Sequence, residues 1–570
     1  MLLLVAGCDL FLVESLVLAG EQWTQANFVK RSPPLAIGGN FVLNTIMTIP
    51  LRSGKNPGPQ GRSILFKSKE ELLLGIILLL VSTAAAIRLY AADKYAFILY
   101  GDAASHLVKA RQLADSWQPG VENIGTVWLP IPHILLLPFS LVDSLFFSGA
   151  AGPVVGIPLL IGTSLLLFAI VRRLTDSRPI ALLSALMFGL NPNVIYLSLT
   201  PMSELTFFFL IALGGYALQR WLYDGKDGWM LVCALAVVFA TLSRYEAWLL
   251  APCVTLIAIV EACFSWKRNE ASRVRTMIGA AIISLAGIVL WFCWNKFMYG
   301  DFFQFAPWKY RPLPSAFNNP MWYRQEAVSL TLIRAMLDIF GPVVLIAVAA
   351  SIAVLRTVIR EPRQYLLFAF LALPTIFIFT GILTDYVLID QWWWNWRFVV
   401  VFGLFASVVG GVGVSELFKK MQSRFVRALT VVGLLAMPVV QLTVQSVSVA
   451  THEDAAKIFS GLTHYATAFG ERLGSTYNGG SIILFTGGGL GERIMLSSGI
   501  PLKNFHLIQY PGGEDIQGAL QSGDKYVVLG KVRLPDSRQV VDYWLDRKEL
   551  VLQYYDVGFE DDNYVLLIRK

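Results

Sequence analysis

The chain has 570 residues, of which 55% are hydrophobic, 13% aromatic and only 15% charged, with a formal net charge of +7 and a mean hydropathy of +0.59. A soluble globular protein carries about 25% charged residues, so the composition excludes a wholly soluble enzyme and implies a polytopic membrane protein with some mass outside the bilayer. Much of the positive charge lies in short loops between apolar runs, where it sets topology rather than binding nucleic acid.

Residues 1–20 are apolar but carry Asp9 and Glu14. They read as an amphipathic surface helix or as an extension outside the fold. The run Leu4-Val-Ala-Gly-Cys8 resembles a lipoprotein cleavage box, yet it lacks a basic leader and a long apolar core. The five cysteines are Cys8, Cys233, Cys253, Cys263 and Cys293. No pair has metal-ligand spacing, and four lie in apolar segments, against a disulfide framework. A Gly/Pro/basic stretch over 50–70 reads as a linker, so 1–70 form an N-terminal extension and cytoplasmic linker.

The membrane domain is expected over 71–450. Eleven spans fall near 71–90, 151–171, 180–198, 203–220, 229–243, 247–265, 276–295, 333–355, 364–383, 397–417 and 429–448. Several are close to the lower limit of about 17 residues for a crossing helix. Every second loop is basic: Arg62, Lys67 and Lys69; Arg172, Arg173 and Arg178; Arg220 and Lys226; Lys267, Arg268, Arg273 and Arg275; Arg356, Arg360 and Arg363; Lys419, Lys420, Arg424 and Arg427. These loops are expected to face the cytoplasm. An odd number of spans then leaves the C-terminus outside. Ile131–Phe147 is apolar but lies between prolines and Asp143, and counting it as a span breaks the charge alternation. It reads as a juxtamembrane or re-entrant helix within the first outer loop, 91–150.

From 451 to 570 the pattern becomes that of a small extracytoplasmic α/β domain. Strands are expected at 481–486, 504–509, 525–529, 550–555 and 564–569, with helices at 491–498 and 537–548. Gly487–Gly491 follows the first strand but does not fit the dinucleotide spacing, and reads as a plain turn.

The topology gathers the unusual polar residues on one side. Asp102 and His106 lie four residues apart just after the first span, on one face if 102–117 is helical. A stiff segment, Gly125-Thr-Val-Trp-Leu-Pro-Ile-Pro-His133, brings a second histidine. Glu204 opens the fourth span, Arg244 and Glu246 lie in a tight outer loop, and Asp390-Gln-Trp-Trp-Trp-Asn-Trp-Arg397 precedes the tenth. Each has a structural alternative. Asp102 suits a helix N-cap, and Glu204 suits a helix start. The histidines suit packed surface positions, and the Arg244/Glu246 pair suits a snorkelling interface. Trp394 and its neighbours suit an aromatic belt. Arg397 on the outer side opposes the positive-inside rule and calls for an anion, for which phosphate fits the guanidinium fork.

These motifs, in this order, resemble the GT-C glycosyltransferases, among them the protein O-mannosyltransferases and the lipid A aminoarabinose transferases. Asp102 falls on the first-loop Asp of that superfamily, and Ala110-Arg-Gln-Leu113 on the helix after it. Gly125–His133 resembles its Pro-rich segment, and Arg173-Leu-Thr-Asp-Ser177 a cytoplasmic turn. Thr200-Pro-Met-Ser-Glu204, Arg244-Tyr-Glu246 and Asn395-Trp-Arg397 resemble its later outer loops. The resemblance implies a multi-pass enzyme of a bacterial or archaeal plasma membrane, taking a sugar from a polyprenyl-phosphate donor to a hydroxyl of a lipid, glycan or protein acceptor, outside and with inversion. It makes Asp102 the general base. His106, His133, Glu204, Arg244, Glu246, Trp394, Asn395 and Arg397 become phosphate- or substrate-binding residues. Ala103 stands where close relatives carry Glu, so no metal ligand set is assigned, although the resemblance leaves room for a divalent metal. A lipid or solute transporter and a non-catalytic assembly subunit are the other readings. No internal repeat of the transporter kind is visible.

Overall fold

The first membrane helix begins where the sequence offers a Ser-x-x-Glu start. Ser68 Oγ accepts from the Glu71 backbone N–H at 3.2 Å, with Glu70 and Glu71 in the first turn, where the helix dipole favours acids. The computed structural model describes residues 68–125, 127–306, 326–341, 362–384, 386–389, 395–444, 464–485, 490–508, 518, 523–531, 548–549 and 551–570.

Helix α1 (Lys69–Ala92) leads into the loop between the first two expected spans. That loop carries α2 (Gly101–Gln112), α3 (Pro130–Ser140) and α4 (Asp143–Phe147). At 11 and 5 residues, α3 and α4 are too short to cross. Neither helix of the segment 131–147 is a crossing span. Next come α5 (Ala151–Thr175), α6 (Arg178–Gly189), α7 (Pro192–Ser198), α8 (Glu204–Asp224), α9 (Gly228–Thr241), α10 (Leu250–Lys267) and α11 (Ala271–Tyr299). The membrane part ends with α12 (Val328–Phe340), α13 (Pro362–Leu383), α14 (Phe402–Lys420) and α15 (Arg424–Val444).

Among the described residues seven helices are long and apolar enough to cross a membrane, and α6 with α7, bent by 64°, makes an eighth. The bend falls at Asn191-Pro192, because proline breaks the preceding helix. Asn191 Oδ1 then caps α7, accepting from Asn193 N–H at 2.9 Å. All eleven expected spans coincide with helix over most of their described residues. α9, however, has only 14 residues, and the expected 333–355 span continues beyond the described residues. Helix α2 ends at Gln112 rather than near 117, ahead of the Gln118-Pro-Gly turn chemistry.

The C-terminal part holds β1 (Ile482–Phe485), α16 (Leu490–Ser498), β2 (Phe505–Ile508), β3 (Tyr526–Gly530), β4 (Tyr555–Glu560) and β5 (Tyr564–Arg569). They form a five-stranded sheet of order β2-β1-β3-β5-β4, with β1 parallel to both β2 and β3 and β5 antiparallel to both β3 and β4. The expected strand at 550–555 is misplaced. Residues 551–554 form a turn, and the strand begins at Tyr555 and continues through Gly558 with a register shift. Asp561 Oδ1 closes the hairpin by accepting from Asn563 and Tyr564 N–H, both at 2.8 Å. Most of the expected 537–548 helix and of Gly487–Gly491 lies outside the described residues.

The sheet and the loop between α1 and α5 share one core. Ile482, Leu484, Tyr526, Val528, Tyr564 and Leu566 bury one sheet face in the same cluster as Ile98, Leu107, Val108, Leu136 and Phe146. In the membrane part, Gly152 and Gly156 of α5 let the chain after α7 come close. A Cβ on Gly156 would lie 2.1 Å from the Ser198 carbonyl oxygen, a small-xxx-small contact. Gly156→Ala is expected to cost about 1–3 kcal/mol by overpacking, read as a lower midpoint in thermal unfolding of the detergent-solubilised protein.

Candidate functional site

The four loops that supply polar residues converge. Tyr100 is extended (φ −61°, ψ 133°) and starts α2, which sets Asp102 in its first turn rather than at the N-cap position. From the other side comes Asn395, in the left-handed region at φ 60°, ψ 13°. Asn tolerates that conformation better than most residues. Its Nδ2 donates to the Leu388 carbonyl at 3.0 Å. This turn launches Trp396–Val401 and carries Arg397 inward.

Arg397 Nη2 donates to Asp102 Oδ2 at 2.5 Å. The two ends differ in exposure: the Arg397 side chain is 9% exposed and that of Asp102 43%. The guanidinium carbon lies 5.1 Å from the ring centres of both Tyr100 and Phe398, and Nη1 points at Met202 Sδ at 3.7 Å. A buried arginine thus presents one half-exposed carboxylate.

Arg244 lies on the opposite flank of Phe398's neighbourhood, 5.3 Å from that ring. Its fork is taken up. Nη2 and Nε donate to Glu246 Oε1 at 2.7 and 3.0 Å, and Nη1 donates to Ser203 Oγ at 2.8 Å and Glu204 Oε1 at 2.9 Å. Glu204 and Glu246 are buried. The expected phosphate ligand Arg244 is therefore neutralised by its own acids.

His106 and His133 are both buried, with Nδ1 of the first 2.7 Å from Nε2 of the second. One ring donates and the other accepts. Trp128 packs on His106 with ring centres 4.5 Å apart. Burial holds His106 down to about 3, assisted by the Arg397, Arg244 and Lys109 charges. Burial likewise holds His133 well below the usual range. The pair is neutral at pH 7. Among the described residues no group of three or more His, Cys, Asp or Glu is placed to hold a metal. Trp394 lies outside the described residues.

Sequence reasoning gave no role to Tyr100 and Met202, whose contacts with Arg397 cross long stretches of chain, or to Phe398 beside it. It also passed over Arg493. This α16 side chain is buried, donates through Nη1 to the Ile98 carbonyl at 2.8 Å and stacks on Tyr95 at 4.8 Å. Three residues after Ile98 the chain enters α2 at Gly101, and Asp102 follows.

The model of the dolichyl-phosphate-mannose-protein mannosyltransferase family matches residues 141–294. No curated protein matches the sequence. Among solved structures, ArnT from Cupriavidus metallidurans bound to undecaprenyl phosphate aligns with a TM-score of 0.51 and 13% identity, over 86% of this chain and 97% of that one. The same protein in the apo state aligns at 0.50 and 12%, over 87% and 98%. The fold is that of the GT-C membrane enzymes. Over its second to seventh expected spans the sequence is similar to the mannosyltransferase family model.

Two predictions follow from this geometry. Histidines held neutral take up protons in the unfolded chain near 6.5, whereas in the folded chain His106 does so only at about 3 and His133 only well below the usual range. Stability is then full above pH 6.5 and drains as pH falls below it, by up to about 1.4 kcal/mol per pH unit for each histidine. Thermal midpoints recorded from pH 7.5 to 5 are expected to fall, and less steeply for the double change His106→Gln, His133→Gln. At Asn395, Gly is expected to be tolerated, whereas Val costs at least about 1–2 kcal/mol through its left-handed backbone, read in the same unfolding assay.

Proposed function

We propose that the chain transfers a sugar from a polyprenyl-phosphate donor to an acceptor hydroxyl, on the extracytoplasmic face and with inversion. The observation that carries this reading is the half-exposed Asp102 carboxylate seated on the buried Arg397 guanidinium. A neighbour in fold that binds undecaprenyl phosphate supports a lipid phosphate as leaving group. The polar cluster lies at the opposite helix ends from the Arg178–Glu70, Arg268–Glu261 and Arg273–Glu261 pairs, in keeping with an outer site under the positive-inside rule.

In the proposed step the acceptor O–H gives its proton to Asp102, and the oxygen attacks the anomeric carbon from the face opposite the phosphate. The C–O bond to the phosphate breaks, and its electron pair leaves on the lipid phosphate. Arg397 meets that charge, since a fixed fork suits phosphate and acts strongly in a dry site. Arg244, with Glu204 and Glu246, holds the outer loop in place rather than meeting the substrate directly. The neutral histidine pair packs behind α2 and fixes its face. Ala103 is buried, so α2 offers no second carboxylate beside Asp102.

Asp102→Asn is expected to lower transfer from a polyprenyl-phosphate sugar by about 10²–10⁴-fold while leaving the thermal midpoint near wild type. Transfer at the wild-type rate would falsify the base assignment. Arg397→Lys keeps the charge but loses the fork, and is expected to lower transfer by roughly 10²-fold, measured with the same donor.

A further inference from the structure

Lys109 is the charged residue of α2 that the proposed reaction leaves unused. It stands seven positions after Asp102 and three after His106, so all three share one helix face. Its ammonium is half-buried and makes neither a hydrogen bond nor an ion pair with any described residue. It lies 5.8 Å from the Trp128 ring, and a side chain on Gly125 would meet it at 3.5 Å. Gly125 is in the left-handed region at φ 77°, so the turn leaves open space beside the ammonium. Glu492 of α16 is the acid whose charge reaches it, without contact.

A cation withdrawn from water without a paired acid is costly, and such groups mark sites that a ligand completes. Burial lowers the Lys109 proton affinity, Glu492 opposing. The Arg397, Arg244 and Lys109 charges all bear on His106, so the field along this face is positive. Seven residues of helix put Lys109 about 10 Å from Asp102 along the axis. It therefore addresses a different anion from the phosphate at Arg397.

We propose that Lys109 and Trp128 form a second anion subsite, which binds a carboxylate or phosphate carried by the acceptor or by the transferred glycan. Its role in substrate choice rests on the glycosyltransferase reading, but the binding itself does not require transfer.

The test is protection of Lys109 from amine acetylation in the full chain, read by peptide mass spectrometry. The probes are inorganic phosphate, glucuronate, glucose and undecaprenyl phosphate. Phosphate or glucuronate is expected to slow acetylation of Lys109 about tenfold at ten times its Kd, and to leave exposed Lys503 unchanged. Glucose is expected to have no effect. Protection by glucuronate alone assigns a carboxylate, and by both probes a general oxyanion site; either supports the subsite. Equal slowing at Lys503, no slowing by any anion, or protection by undecaprenyl phosphate alone overturns it. So does a Lys109 that reacts only after Glu492→Gln, which would make it that acid's structural partner. The same protection is expected in Asp102→Asn, so failure of the subsite and failure of the transfer reading give different results.

Discussion

A guanidinium buried at the end of a membrane helix needs a partner, because an unpaired charge in a dry site costs several kcal/mol. Arg397 finds that partner in Asp102, 295 positions earlier in the chain. Much of the local structure serves this contact. Asn395 takes a left-handed turn to aim Arg397 inward, and Tyr100 is extended to start α2 at the right place. Tyr100 and Phe398 supply aromatic faces to the cation. The contact is asymmetric. The cation is fixed and shielded, while the acid remains open to an incoming molecule.

The loop that carries Asp102 is held from two sides. On the membrane side, Tyr245 donates to the Val127 carbonyl at 2.8 Å and Trp294 to the Gly125 carbonyl at 3.1 Å, while Ile131 N–H reaches Leu242 at 3.1 Å. On the other side, the C-terminal sheet merges its core with α2 and α4. Arg493 ties down the carbonyl of Ile98, just ahead of the acid. Lys94 meets Glu471 at 2.7 Å, and Trp117 stacks on His506 at 5.8 Å. The C-terminal domain is thus structural support for the candidate site as well as a separate sheet. A flexible loop would not hold a base within the fraction of an ångström that such a reaction requires.

The membrane architecture was legible because long apolar runs and alternating basic loops are local signals. The convergence of the loops that carry Asp102, Glu204, Arg244 and Arg397 was also legible, since the charge alternation puts them at one end of the helices. Pairings were not. Nothing local tells that Arg397 meets Asp102 whereas Arg244 meets Glu204 and Glu246, because the choice depends on how helices far apart in sequence pack. The Gly558 irregularity hid most of β4 for a similar reason: a strand carried through a glycine is stabilised by its hairpin partner, not by its own pattern. The core shared by α2 and the sheet shows in the sequence only as apolar positions such as Leu107 and Val108, which a surface helix on lipid would show equally.

The two arginines differ in what an incoming anion would find. Arg244 has its nitrogens on two buried acids and a hydroxyl, so a phosphate there must displace carboxylates that have no water to go to. Arg397 meets the Asp102 carboxylate, which is itself half in solvent and can be released at little cost. In the proposed reaction the donor phosphate and Asp102 therefore compete for a single guanidinium. Arrival of the phosphate loosens the Arg397 grip on Asp102 and frees that carboxylate to accept the hydroxyl proton. An ion pair that holds the resting site together would then couple donor binding to the availability of the base. Asp102 would be withheld from a lone acceptor until a phosphate takes its place on Arg397.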